Sequence, residues 1–258
     1  MKRIFNHIAI ICCCLVAVSC EMDNYDEPDA TIQGTIYDHN GQPLQVEHGS
    51  QYIRMREVSW TDGEEGFIGN RRLSVQQDGT YRNTKQFAGE YLMLPSNGNF
   101  FPYWEADDLE KDGDNAGELV KISGTVTKDF VVTPYLTIEW VKKPTITSDN
   151  YLECTVRFTR NQKTGFNRPY VKEASLLVSR TMNTSGSDGL LFPSPREITN
   201  AMEGQEIAFR TAIPFRYTGI KYRIRVGMNC QTAPGDASTN YPGMGARNFS
   251  TIEEIFVP

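Results

Sequence analysis

Histidine is almost missing from this chain, with three copies in 258 residues. His7 falls in an apolar N-terminal run, and His39 and His48 stand nine positions apart with no cysteine or third histidine nearby. That cannot supply the three or four ligands a zinc site takes, so no metal site is expected there. Cysteine is scarce beyond residue 20, where only Cys154 and Cys230 remain. Positive charge is short as well: 26 Lys and Arg face 32 Asp and Glu, a net of −6. Such a surface repels phosphate backbones and anionic lipid, which excludes nucleic acid as a partner. The chain has no phosphate loop, Gly-x-Ser-x-Gly elbow or dinucleotide fingerprint, so it assigns no catalytic residue and implies no cofactor. Acids are plentiful, but abundance alone pairs no two carboxylates for glycoside hydrolysis. After the first twenty residues no apolar run approaches the roughly 20 residues of a membrane-spanning helix. From Thr31 onward no convincing helical period appears either.

What is present begins with "CCCLVAVSCEMDNYDEPD", residues 12–29. Lys2 and Arg3 precede an apolar stretch from Ile4 to Val18, too short to span a bilayer and suited to the core of a secretory signal. Of the four early cysteines, only Cys20 follows small residues, in Ala17-Val18-Ser19-Cys20. This resembles the lipobox of bacterial lipoproteins. The resemblance implies that residues 1–19 are a signal peptide and that Cys20 becomes the acylated N-terminus, giving a membrane partner through a lipid anchor. A single acyl chain holds a membrane with K on the order of 10⁴ M⁻¹, so several chains on one cysteine anchor firmly. Loss of residues 1–19 removes two bases and no acid, leaving 24 bases against 32 acids and a charge of −8. Residues 20–29 then read as an acidic tether, with five acids between Glu21 and Asp29 and no base among them. Self-repulsion and Pro28 keep it extended, reaching at most about 30 Å. An acidic run in this position also resembles the export signal of Bacteroidetes lipoproteins bound for the outer face of the outer membrane.

Residues 30–258 read as all-β. "TIQGTIYD" places Ile32, Gly34 and Ile36 on one face, and an Asn-Gly turn follows at Asn40-Gly41. Ile53 and Met55 alternate with Arg54 and Arg56, Asp78-Gly79 marks another turn, and Ile122, Val126, Phe130 and Val132 share an inward parity. "VKKPTITSDN" suggests a linker at Lys142–Pro144, which divides the chain into sandwiches at 30–141 and 142–258. Few contacts should cross such a boundary, so each piece is expected to fold alone. In the second half Leu152, Cys154, Val156 and Phe158 alternate with polar residues. So do Ala174, Leu176 and Val178, and so do Ile207, Phe209 and Ile213. Tyr222, Ile224, Val226, Met228 and Cys230 read as inward, with Lys221, Arg223 and Arg225 outward. A Cys154–Cys230 bridge is open to an exported protein, but Cys230 ends its strand, which favours two free thiols.

Gly34 to Leu44, followed by "DGTYRNTKQFAGEY", resembles prealbumin or carboxypeptidase-regulatory β-sandwiches, although the Gly-Ala pair expected after Leu44 is absent. "KYRIRVGMNC" resembles the penultimate strand of a fibronectin type III or other immunoglobulin-like domain. The fold expectation is therefore two tandem antiparallel β-sandwiches, prealbumin-like then immunoglobulin-like. The lipobox with "DNYDEPDATIQGTI", "NGNFFP" and "DFVVTPYLTI" resembles a Bacteroidetes lipoprotein family with a domain of unknown function. That family is encoded in polysaccharide-utilisation loci beside SusC/SusD-type pairs. The resemblance implies glycan and outer-membrane transporter or SusD-type proteins as partners, and localisation on the cell surface; it transfers no catalytic residue.

Two further stretches invite a function. "DDLEKDGDNAGE", residues 107–118, fails as an EF-hand because Leu119 stands where the bidentate acid belongs, and only a looser calcium site from Asp112, Asp114 and Glu118 remains. "NGNFFPYWEADD" collects aromatics in a turn-rich segment. Phe100 and Phe101 are expected to plug a sandwich end, whereas Tyr103, Trp104 and the loop residue Trp60 are the candidates for stacking on sugar rings. Trp140, in alternation with Leu136 and Ile138, reads as core or interdomain packing. The leading reading is a non-catalytic surface lipoprotein that assists glycan capture or presentation. The alternative is a structural or adhesin-like module that binds another protein.

Overall fold

The computed structural model describes residues 27–59, 70–104, 116–184, 195–232 and 244–258. Cys20 and Trp60 lie outside these residues, as does most of the acidic loop 107–118.

Eight strands build the first sandwich: β1 (Ala30–Asp38), β2 (Tyr52–Glu57), β3 (Arg71–Ser74), β4 (Thr80–Gln86), β5 (Gly89–Ser96), β6 (Glu118–Ile122), β7 (Thr125–Thr127) and β8 (Phe130–Val132). One sheet runs β4-β1-β7 with β8 also on β1, and the facing sheet runs β3-β2-β5-β6. The alternation read from sequence holds, since Ile32, Ile36, Ile53, Met55, Ile122, Phe130 and Val132 meet in one core. The pairing is antiparallel, as expected, except along one side of β1. β7 and β8 run parallel to β1, because the chain leaves β6, crosses to the other sheet near Gly124 and returns along β1 instead of folding back as a hairpin. Gly34 is needed where this return passes over β1, for a β-carbon there would fall 1.9 Å from the Lys128 carbonyl oxygen.

The second sandwich has β9 (Leu136–Ile146), β10 (Leu152–Arg160), β11 (Tyr170–Ser179), β12 (Arg196–Glu197), β13 (Ile207–Arg210), β14 (Ile220–Gln231), β15 (Asn248–Phe249) and β16 (Glu253–Val257). The sheet β13-β10-β9 faces a second sheet, β12-β11-β14-β15, in which β16 also pairs with β14. These pairings are all antiparallel, as expected of an immunoglobulin-like sandwich. Leu152, Cys154, Val156 and Phe158 pack against Leu176, Val178, Ile224 and Val226. Ile213 departs from its expected inward place: β13 stops at Arg210, and Ile213 is exposed. Cys154 and Cys230 are buried and free. Burial pushes the Cys154 thiol up to about 12 and the Cys230 thiol higher still, so neither supplies thiolate in the native state. Thiol reagents should therefore label none of this pair in the folded protein and both on denaturation without reductant. One disulfide-blocked pair would contradict the structure.

The expected linker is not a linker. Lys142, Lys143 and Pro144 lie inside β9, an edge strand, and the change of core comes earlier, between Val132 and Tyr135. The register against β10 slips twice around Lys142–Pro144, so β9 bulges there, and a bulged edge is where a strand accepts proline. The junction itself is clamped. Phe101 N–H donates to the Thr133 carbonyl at 2.9 Å and Tyr135 N–H to that of Asn99 at 3.0 Å. Phe100 then plugs the first core and Phe101 the second.

The two sandwiches also press together along a polar seam. The outward-parity residues Ser175, Leu177, Ser179, Arg225 and Gly227 of β11 and β14 are all buried. Arg225, expected at the surface, is 0 % exposed because this part of the sheet lies under the first sandwich. Its Nη1 donates to the Val46 carbonyl at 2.8 Å and its Nε to that of Thr184 at 2.5 Å, with the guanidinium 3.6 Å from the centre of the Phe249 ring. Gln77 pairs with the Thr184 N–H and the Asn183 side chain, and Asn99 donates to the Arg247 carbonyl at 2.7 Å. Separately folding pieces are therefore not what this seam supports.

Candidate binding cleft

Among the sequence candidates, Tyr103 and Trp104 are described, and they stand together at the edge of the first core. Tyr103 is half-buried. Its ring meets Trp104 edge-on at 5.0 Å and Phe130 at 6.0 Å, while its hydroxyl donates to the Glu118 carboxylate. Lys128 Nζ pairs with the other Glu118 oxygen and lies 5.0 Å over the Phe130 ring. Burial, then the bond to Glu118, raises the Tyr103 hydroxyl well above its ordinary value. Burial works against the charge on Glu118, but hydrogen bonds from Lys128 and Tyr103 prevail and hold it below its usual range. Glu118 is thus engaged within the protein and not set out as a calcium ligand. From the second sandwich, Lys163 Nζ donates to the carbonyls of Pro102, Tyr103 and Trp104 at 2.6, 2.9 and 2.9 Å. The open aromatic platform expected here is instead a fastened strut: ring, hydroxyl and backbone of Tyr103 are each held by the protein. Among the described residues a small polar depression of about 300 Å³ adjoins it, between Tyr103, Val131 and Lys163.

The larger concavity, about 860 Å³, opens between the sandwiches. The outer face of β1 supplies Thr35 and Tyr37 to one wall, beside the Asn40–Gln45 hairpin and the turn at Asp78. The other wall is the N-terminal part of β9, ending in Glu139 and Trp140, with Phe249 and Thr251 beside it. Local sequence fixes these walls. Asp38 Oδ1 accepts the N–H groups of Asn40 and Gln42, both at 2.8 Å, which closes the hairpin. Asp78 Oδ1 accepts from Thr80 N and Oγ1, and Gly79 takes φ +80° to complete that turn. Trp140 precedes the first β9 bulge, packs half-buried against the second core, and donates from Nε1 to the Thr251 carbonyl at 3.1 Å. Sequence placed Trp140 correctly as packing, yet missed that its remaining surface lines a cleft. Tyr37 could have been found, since it is an aromatic on the polar parity of β1, but alternation alone does not say what faces it.

This cleft offers two aromatic side chains whose bodies are apolar and whose tips are polar, surrounded by amides, hydroxyls and carboxylates. Its volume suits a ligand of several rings. Among the described residues no group of three or more His, Cys, Asp or Glu is placed to hold a metal ion. His39 and His48 are exposed on the turns that follow β1.

Residues 30–133 match the N-terminal domain of DUF3823, a protein family of unknown function. No curated protein matches the sequence. Among solved structures, a DUF3823 protein of Bacteroides uniformis superposes with a TM-score of 0.65 at 23% identity, over 90% of this chain and 100% of its own. A second Bacteroides uniformis protein, named as a candidate carbohydrate-binding protein, gives 0.62 at 21% over 89% of this chain and all of its own. A DUF3823 protein of Parabacteroides merdae gives 0.63 at 16% over 89% and 100%. By sequence the first sandwich matches the DUF3823 N-terminal domain, and by fold about nine-tenths of the chain is similar to these proteins.

Proposed function

We propose that the chain belongs to the DUF3823 proteins and acts as a non-catalytic glycan-binding lipoprotein of the outer-membrane surface. In this reading Cys20 carries the lipid and the acidic residues 20–29 hold the sandwiches off the membrane. Glycan is held for a neighbouring SusC/SusD-type transporter in a polysaccharide-utilisation system. The observation that carries the binding role is the intersandwich cleft with Tyr37 and Trp140 on opposite walls. Sugar rings present apolar C–H faces to such side chains and hydroxyls to the polar groups around them. The likeness to a candidate carbohydrate-binding protein agrees with it. Asp38 and Asp78 each commit Oδ1 to closing their own turns, which supports reading these two acids as groups that shape the wall.

Polysaccharides cast into native gels should retard the purified chain while releasing no reducing ends. Trp140→Ala should weaken retention by roughly thirtyfold, the loss of an aromatic anchor at about 2 kcal/mol. In cells, Cys20→Ala should abolish fatty-acid labelling and surface display. Sugar release by the wild type would replace this reading with a hydrolase; labelling of the mutant would remove the lipid anchor.

A further inference from the structure

We infer that the cleft takes an extended, electroneutral polysaccharide chain and turns away uronate- or sulfate-bearing ones, an inference that rests on the glycan-binding reading above. The shape argument comes from continuity. A second depression, about 470 Å³, lies over β1 and β4 and shares Thr35, Tyr37 and Thr80 with the main cleft. It carries the path onward past Gln33 and Arg82. A ligand that uses both must be elongated, with Tyr37 near the middle of its path and Trp140 toward one end. A single sugar would need only one of them.

The charge argument is separate. Carboxylates of Asp38, Asp78 and Glu139 line the main cleft and that of Asp129 lines its continuation. Among the described residues Arg82 is the one basic side chain on either stretch, and none lines the main cleft. Carboxylates accept hydrogen bonds from sugar hydroxyls strongly, since a charged acceptor roughly doubles a neutral bond. The same oxygens repel a bound carboxylate or sulfate within the Debye distance of about 8 Å at physiological salt. Arg82, across Tyr37 from the Glu139 end, cannot offset them along the whole path. The walls are also held: Asp129 Oδ1 accepts the Thr35 N–H at 2.7 Å, so neutral binding does not require these acids to move.

The test is affinity electrophoresis of the purified full chain in gels containing galactomannan, arabinoxylan, polygalacturonate or heparin at about 0.15 M salt. Retardation is expected with a neutral polymer and not with the two anionic ones. It should fall at least tenfold in Tyr37→Ala and in Trp140→Ala, and largely return in Trp140→Phe, with each melting temperature recorded to exclude unfolding. The Asp78→Asn/Glu139→Gln variant keeps the turn and the shape, and should gain at least tenfold in affinity for polygalacturonate. Wild-type retention by polygalacturonate or heparin equal to that by a neutral polymer would overturn the charge selection yet leave glycan binding standing. Neutral retention unchanged by both aromatic substitutions would overturn the site. Retention by none of the four would overturn the glycan-binding reading itself.

Discussion

Arg225→Ala is expected to lower the stability of the whole chain by about 3–5 kcal/mol, the range for breaking a buried charged network. The side chain is fully buried between the sandwiches, and two carbonyls from different parts of the chain depend on it. Burial, with the neighbouring Arg247 also acting against it, lowers the guanidinium pKa to about 9, while Glu47 works in its favour. It remains charged at neutral pH, so its desolvation is offset by the two carbonyls, the Phe249 ring and the Glu47 field. Truncation removes these contacts at once, leaves the Val46 and Thr184 carbonyls without this donor, and opens a cavity beside Phe249. Arg225→Met separates the parts. It fills much of the volume and supplies no donor, so it should cost less than alanine but still about 1–3 kcal/mol for the orphaned carbonyls. Chemical denaturation read by tryptophan fluorescence measures both. A loss below about 1 kcal/mol for alanine would mean that the seam contributes little to stability.

The same residue shows where sequence reading stops. Alternation identified the inward faces of β1, β10 and β14, because each of those faces meets the opposite sheet of its own sandwich. It assigned Arg225 to water because outward parity is solvent-facing in an isolated sandwich. Nothing in a period of two reveals that another sandwich covers that face. A local signal was present in Gly227, on the same face two residues on, where a β-carbon would fall 2.8 Å from the Phe249 ring. Lys142-Lys143-Pro144 misled for a related reason. Polar residues and proline read as a break, but a bulged edge strand tolerates both. Tyr103 stands out in the sequence by its aromatic neighbours, and the structure shows its polar tip serving Glu118, a contact between residues that sequence alone does not align. The cleft is the least legible part, since its walls come from β1 and β9, far apart in sequence, and the motifs on those segments speak to the fold and not to a site.

Phe100→Ala and Phe101→Ala should each cost about 3–5 kcal/mol, as large buried aromatics do. The two residues are adjacent in sequence, at 2% and 0% exposure, and serve different cores. Phe101 packs edge-on to Tyr135 at 5.0 Å and lies 5.8 Å from Phe166 in the second core, whereas Phe100 fills the first. That placement makes the pair a test of cooperativity as well as of packing. If the clamp at Asn99–Phe101 with Thr133–Tyr135 and the Arg225 seam join the sandwiches into one unfolding unit, either substitution shifts a single transition. The shift should be of the order of 6–20 °C, at roughly 2–4 °C per kcal/mol for a chain of this size. If the sandwiches unfold separately, calorimetry will show two transitions, with Phe100→Ala moving one and Phe101→Ala the other. One transition moved by both substitutions is expected, because the polar seam buries Gln77, Asn99, Thr184, Arg225 and Asn248, which either sandwich would have to expose on melting alone. Two independently shifted transitions would refute that coupling, and with it the expectation that Arg225→Ala destabilises both halves together.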